Sequence, residues 1–84
     1  MLERGRVVIS LAGRDKGKFL AVMQEDKDRV LICDGKERPV DRPKSKNIRH
    51  VECVGASLNE AEMMTNRALK KALARLNAEI NGNT

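Results

Sequence analysis

Two short apolar runs on either side of a basic, glycine-bracketed loop constrain the fold of this chain more than any other feature. The runs are Val7–Ile9 and Phe19–Met23. The loop between them carries three cations and one carboxylate: Arg14, Lys16, Lys18 and Asp15. Because glycine tolerates positive φ and close approach by another backbone, Gly13 and Gly17 can shape this loop around an anionic surface. The stretch therefore predicts a β-hairpin that presents cations at its tip.

Two further apolar segments predict a third and a fourth strand, over Val30–Cys33 and Ile48–Val54. Residues 36–46 contain Pro39 and Pro43, which fix φ and lack a backbone donor, so a stiff extended connection is expected there. The strands are apolar on both faces, which indicates a sheet that is covered from both sides. The C-terminal segment is the candidate cover.

The last third of the chain has the pattern of an amphipathic helix. Ser57 and Glu60 are spaced as a capping box, and Gly82 offers a stop. Apolar residues recur between them at spacings of three and four: Ala61, Met64, Ala68, Leu69, Ala72, Leu73, Leu76 and Ile80. The pattern predicts one helix over residues 57–81. Its apolar stripe suits packing on the sheet, and a homodimer or partner interface remains open.

Charge points to a polyanionic partner. The 84 residues carry a formal net charge of +5, and the chain is short enough to form one small domain. Six basic residues lie within residues 36–50 against two carboxylates: Lys36, Arg38, Arg42, Lys44, Lys46 and Arg49. Such clustering is typical of a nucleic-acid binder, although a solvated loop would look the same.

Two stretches carry a resemblance to a known family. The first has Val7–Ile9, Gly13, the Asp15–Lys18 run and Val22, and the second is residues 42–51. Together they resemble the KOW domain of large-subunit ribosomal proteins of the archaeal and eukaryotic type and of their small bacterial relatives. The chain departs from many KOW motifs at Leu20, where another glycine is common.

The resemblance covers about the first 55 residues and implies an SH3-like barrel that binds RNA, often ribosomal RNA, without catalysis. We therefore expect a mainly β fold: a small SH3-like barrel over residues 1–56, a C-terminal amphipathic helix over 57–81, and a tail over 82–84. KOW domains of transcription factors also bind proteins, so the family alone leaves the partner open.

Other chemistries find little support in the sequence. His50 is the only imidazole, no Walker phosphate-binding motif is present, and Cys33 and Cys53 lack the spacing of a zinc site. We expect no enzyme, metal or cofactor, and the two cysteines read as small hydrophobes or as a disulfide pair. No signal peptide or apolar run of membrane-spanning length is recognisable, so a cytoplasmic location without a membrane partner is expected.

The sequence thus predicts a ribosome-associated protein of translation that binds structured RNA by charge. Phe19 is the only aromatic residue and suits the core, which leaves no platform for stacking bases. The predicted RNA-binding residues are Arg14, Lys16, Gly17, Lys18, Lys36, Arg38, Arg42, Lys44, Lys46 and Arg49. The alternative is a protein-interaction module of the transcription or translation machinery that uses the C-terminal helix.

Overall fold

The computed structural model describes residues 2–81 and shows one five-stranded antiparallel sheet followed by a helix. The strands are β1 (Arg6–Ser10), β2 (Phe19–Asp26), β3 (Arg29–Cys33), β4 (Lys44–Asn47) and β5 (Val51–Ser57), and the helix is α1 (Asn66–Asn81). Across the sheet the strands follow the order β4-β3-β2-β1-β5, and the two edges are not joined into a closed barrel. The prediction of a small, mainly β fold with a C-terminal helix is confirmed.

The predicted hairpin is formed by β1 and β2. Val7 pairs with Ala21, Val8 with Leu20, and Ile9 with Phe19. Strand β2 extends beyond the predicted end at Met23, and its register with β3 shifts between Val22 and Gln24. An irregularity of this kind bends a strand, which helps a short sheet to curve around its own interior.

The sheet buries a separate apolar cluster on each face, as the two-sided strands predict. One cluster, formed by Val8, Leu20, Val22, Val30 and Ile32, fills the inner face of the curved sheet. The other joins Val7, Phe19, Ala21 and Cys33 to the C-terminal segment, through Leu58, Met63, Leu69, Ala72 and Leu73. Phe19 is accordingly a core residue.

Strand β4 lies where the sequence predicts only an extended connection. It pairs with β3, with Lys44 opposite Ile32 and Lys46 opposite Val30. The prediction of a fourth strand from Ile48 is wrong at its start, because Ile48–His50 forms a 3-10 turn. The Asn47 side chain caps this turn by accepting a hydrogen bond from the Arg49 N–H at 2.8 Å. The strand that follows is β5.

The helix begins later than predicted, and the capping box at Ser57 is wrong. Ser57 is the last residue of β5, where it pairs with Arg6, and the next N–H, that of Leu58, donates to the Gly5 carbonyl at 2.7 Å. The reciprocal contact occurs two residues further on: the Asn59 and Glu62 side chains each accept a bond from the other's N–H, both at 2.9 Å. Helix α1 itself is capped by the Thr65 hydroxyl, which accepts from the Ala68 N–H at 3.1 Å.

Helix α1 lies on the outer face of the sheet through Leu69, Ala72 and Leu73. Ahead of it Met63 is buried, whereas the predicted stripe member Met64 is 72 % exposed. The predicted stop at Gly82 and the tail over 82–84 lie outside the described residues. Within residues 2–81, no helix combines the length and apolar character that crossing a bilayer requires.

Both cysteines are free thiols, and the fold keeps them apart. Cys33 ends β3 in the outer cluster and is fully buried, whereas Cys53 is exposed on β5, with β2 and β1 between the two strands. Burial raises the pKa of the Cys33 thiol to about 11. The disulfide left open by the sequence is therefore not formed in this arrangement.

Candidate nucleic-acid interface

The loop between β1 and β2, residues 11–18, is held in one conformation by its own backbone. The Gly17 N–H donates to the Ser10 carbonyl at 2.8 Å, and the Ser10 N–H donates to the Lys18 carbonyl at 3.0 Å. Gly13 and Gly17 adopt φ of 79° and 85°, a region that disfavours other residues. Arg14 and Lys16 project from this fixed frame and are exposed.

Asp15 anchors the loop from within. Its side chain is 1 % exposed, and its Oδ2 lies 3.4 Å from a guanidinium nitrogen of Arg38. The Asp15 Oδ1 and the Arg38 Nε are buried without another partner in the described residues. This ion pair joins the loop to the second basic stretch, and it uses the charge of Arg38 inside the protein.

Lys46 makes the second connection between the two basic stretches. Its ammonium donates to the Ala12 carbonyl at 3.0 Å, and only 8 % of the residue is exposed. Opposed residues in an antiparallel pair share a face, so Lys46 lies on the inner face with Val30. The sequence predicts Lys46 as a phosphate contact, whereas its position shows an ammonium already held by the loop backbone.

The remaining predicted cations differ in their exposure and in whether another group of the protein already binds them. Within residues 2–81, seven basic residues of the predicted set have no carboxylate within ion-pair distance: Arg14, Lys16, Lys36, Arg42, Lys44, Lys46 and Arg49. Of these, Lys46 donates to a backbone carbonyl. Arg14, Lys16, Lys36, Arg42 and Arg49 are exposed, and Lys44 is half-buried. Arg49 is near the loop, because the neighbouring His50 carbonyl accepts from the Leu11 N–H at 2.8 Å. No hydrogen bond in the described residues joins Arg42 to the loop.

Lys18 is exposed but paired. Its ammonium lies 2.8 Å from a carboxylate oxygen of Glu37, which is exposed as well. This hydrogen bond raises the pKa of Lys18 and lowers the pKa of Glu37. Exposed ion pairs contribute little to stability, so Lys18 can exchange Glu37 for another anion at small cost.

The residues after β3 form a tight loop, residues 34–42, that is fixed to helix α1. The Asp34 Oδ1 accepts from the N–H groups of Lys36 and Arg38, both at 2.9 Å. The Val40 N–H donates to the Asn66 side chain at 2.7 Å. Gly35, at φ 81°, lies so close to α1 that a Cβ would collide with the Asn66 carbonyl. Lys36 therefore has a set position relative to the helix.

A cleft of about 290 Å³ opens where the two loops meet helix α1. Phe19, Leu73 and Ala74 line it with apolar groups, and its polar lining includes Lys18, Lys36, Lys70, Asp34 and Asn77. Lys70 is absent from the sequence-predicted set, because the helix lies outside the resemblance to KOW domains. The sequence carries no local signal for it, because its place beside the two loops depends on the docking of α1.

The site offers charge and hydrogen-bond donors rather than reactive groups. Within the described part of the chain, no three His, Cys, Asp or Glu side chains cluster closely enough to hold a metal ion. The arrangement suits electrostatic recognition of an extended anion by cations on a preformed loop. In comparisons with known proteins, no family model matches the sequence and no curated protein is significantly similar to it.

Proposed function

We propose that this protein binds structured RNA, with ribosomal RNA as the expected target, as a ribosome-associated factor without catalytic activity. The basic surface is defined as the solvent-accessible cations of the two basic stretches that have no ion-pair partner among the described residues: Arg14, Lys16, Lys36, Arg42, Lys44 and Arg49. The observation that carries the proposal is the contact between the stretches, through Asp15–Arg38 and through Lys46–Ala12. The choice of ribosomal RNA rests on the resemblance to ribosomal KOW proteins.

The mode of recognition follows from what this surface contains. Phe19 is buried and the sequence has no Trp or Tyr, so no large aromatic side chain is available to stack on bases. Affinity then depends on contacts with phosphates, and selectivity depends on the shape of a folded RNA. A loop whose backbone is already fixed loses little conformational entropy on binding, which favours such a surface over a flexible basic tail.

The test is a paired substitution in the loop. Replacing Arg14 and Lys16 by Gln removes two exposed cations whose side chains make no hydrogen bond or ion pair within residues 2–81. If each contacts a phosphate, affinity for a fluorescently labelled RNA stem-loop falls about 25-fold or more at 0.1 M salt, and the slope of log affinity against log salt falls by roughly 1.4–1.8. Fluorescence anisotropy over a range of salt measures both quantities.

The control variant replaces Arg4 and Lys71 by Gln, which changes the net charge equally. Arg4 is paired with Glu60 at 2.8 Å, and Lys71 lines a separate cleft that contains the Glu62–Arg75 pair. Both variants should unfold cooperatively at a temperature close to that of the unmodified protein. Equal losses in the two variants would contradict an interface at the loop, and the absence of salt-dependent binding by the unmodified protein would contradict RNA binding itself.

The second candidate is a protein-interaction module that uses α1. The observation that favours it is that the apolar stripe continues past the core: Leu76 packs at the margin of the outer cluster, and Ile80, one turn further on, is 47 % exposed. The affinity for a partner or a second copy bound there would depend only weakly on salt concentration, whereas the affinity for RNA would fall steeply. Sedimentation of the protein and of an Ile80→Glu variant tests this: a dimer lost in the variant supports the candidate, and two identical monomers contradict self-association.

A further inference from the structure

The cleft between the two loops and helix α1 brings together three lysines from three separate parts of the chain. Lys18 ends the loop between β1 and β2, Lys36 belongs to the loop after β3, and Lys70 lies on α1. The fold sets the loop of Lys36 against the helix of Lys70, because Gly35 fits against the backbone of Asn66 and Lys70. Three lysines that are distant in sequence therefore line one cleft, and only the tertiary fold brings them there.

The acceptors within this cleft do not neutralise the three lysines. Asp34 is the carboxylate in its lining, and one of its oxygens is used by the N–H groups of Lys36 and Arg38. Within the described residues, no carboxylate lies within ion-pair distance of Lys36 or Lys70, and Lys18 has only the exposed Glu37. The apolar side chains of the lining, Phe19, Leu73 and Ala74, offer no acceptor that would compete for the ammonium groups.

We propose that this cleft binds a phosphodiester group of the RNA, so that helix α1 is part of the RNA interface. Lys70 and Lys36 contact the phosphate oxygens, and Lys18 joins them by exchanging Glu37 for the phosphate. A lysine binds phosphate as a compact point charge, which requires no more of the site than converging ammonium groups. This inference rests on the proposed function, and it extends the interface beyond the two stretches that resemble the KOW family.

The experiment compares Lys70→Gln with Lys71→Gln. The two positions are adjacent on one helix, both are exposed, and the changes in charge and helix propensity are identical. They face different clefts, since Lys71 lies with Glu62 and Arg75 rather than with Lys36. The labelled RNA stem-loop and the full chain are used for both, with salt titrations by fluorescence anisotropy and thermal unfolding by circular dichroism.

We expect Lys70→Gln to weaken binding about five- to eightfold at 0.1 M salt and to lower the salt slope by roughly 0.7–0.9, the effect of one lost phosphate contact. Lys71→Gln should leave the slope unchanged. Equal effects of the two variants, or no effect of either, would overturn the inference. If the Arg14 and Lys16 substitutions weaken binding while Lys70→Gln does not, only the cleft is refuted. If the unmodified protein shows no salt-dependent binding, the proposed function itself fails.

Discussion

The two basic stretches look alike in sequence and are built differently in the structure. In the loop between β1 and β2, the carboxylate Asp15 is buried, and Arg14 and Lys16 on either side of it are exposed. In the second stretch, a cation is the buried residue: Lys46 is 8 % exposed and bonded to Ala12. The loop uses its acid as an anchor, whereas the second stretch uses a base.

This difference separates cations that hold the protein together from cations that remain available to a ligand. Arg38 and Lys46 both reach across to the loop, one to the Asp15 carboxylate and one to the Ala12 carbonyl. A count of positive charges treats them like Arg14 or Lys16, although their charges are already used. We therefore expect substitution of Arg38 or Lys46 to lower stability, and substitution of Arg14 or Lys16 to lower RNA affinity.

The largest effect is expected from Arg38→Ala. It leaves the Asp15 carboxylate buried without a charged partner, and such a loss costs about 3 kcal/mol of unfolding free energy at a largely buried pair. The loss is smaller here because the Arg38 side chain is 24 % exposed, so we expect the unfolding free energy to fall by about 2–3 kcal/mol. Urea unfolding followed by circular dichroism measures it.

Two further variants test whether the pair is the cause. Lys36→Ala in the same loop should change the unfolding free energy by less than about 0.5 kcal/mol, since the residue is exposed and unpaired in the described residues. Adding Asp15→Ala to Arg38→Ala should recover part of the loss, because it removes the uncompensated buried charge. A double variant less stable than Arg38→Ala alone would contradict this account.

Lys46→Ala should cost about 2 kcal/mol of unfolding free energy. The change removes the donor to a part-buried carbonyl of Ala12 and the aliphatic stem that lies on the inner face beside Val30. Lys44→Ala is the matched control on the same strand, because Lys44 is half-buried and opposite Ile32. If urea unfolding gives equal values for the two variants, the distinction between anchoring and available lysines on β4 is wrong.

The sequence predicts those parts of the fold that depend on local signals and misses those that depend on distant contacts. The hairpin of β1 and β2 is predicted correctly because its signal is local: two apolar runs and a glycine-bracketed loop. Strand β4 is missed because Lys44–Asn47 contains no apolar residue, and its inward positions are occupied by Lys44 and Lys46. The capping box at Ser57 fails because pairing with Arg6 and the bond from Leu58 to Gly5 extend β5, an effect of contacts distant in sequence.

For the site, the sequence identifies basic residues but cannot say which of them are free. That depends on partners far along the chain, such as Asp15 for Arg38 and Ala12 for Lys46. It also depends on the docking of α1, which brings Lys70 to the cleft and which no local pattern reveals. Charge patterns therefore predict that a basic surface exists, and the tertiary fold determines its members.

The smallest expected effect, and the finest test of the comparison, comes from Glu37→Gln. Lys18 lies between the two classes, because it is exposed yet paired with Glu37 at 2.8 Å. Neutralising Glu37 should release Lys18 and strengthen binding of the RNA stem-loop about threefold, less than a whole phosphate contact because Lys18 can already exchange partners. Stability should be unchanged, since both side chains are exposed.

The pH dependence of the same pair gives an independent measurement. The hydrogen bond from Lys18 lowers the pKa of Glu37, so the carboxylate stays ionised to a more acidic pH than usual. The ion pair is lost only as the pH falls through that lowered pKa. Nuclear magnetic resonance titration should show the Glu37 pKa rising towards its ordinary value in Lys18→Gln.

For the affinity measurement, Glu79→Gln on α1 is the charge-matched control of Glu37→Gln. An equal gain in RNA affinity in Glu79→Gln would mean that net charge, rather than release of Lys18, is responsible.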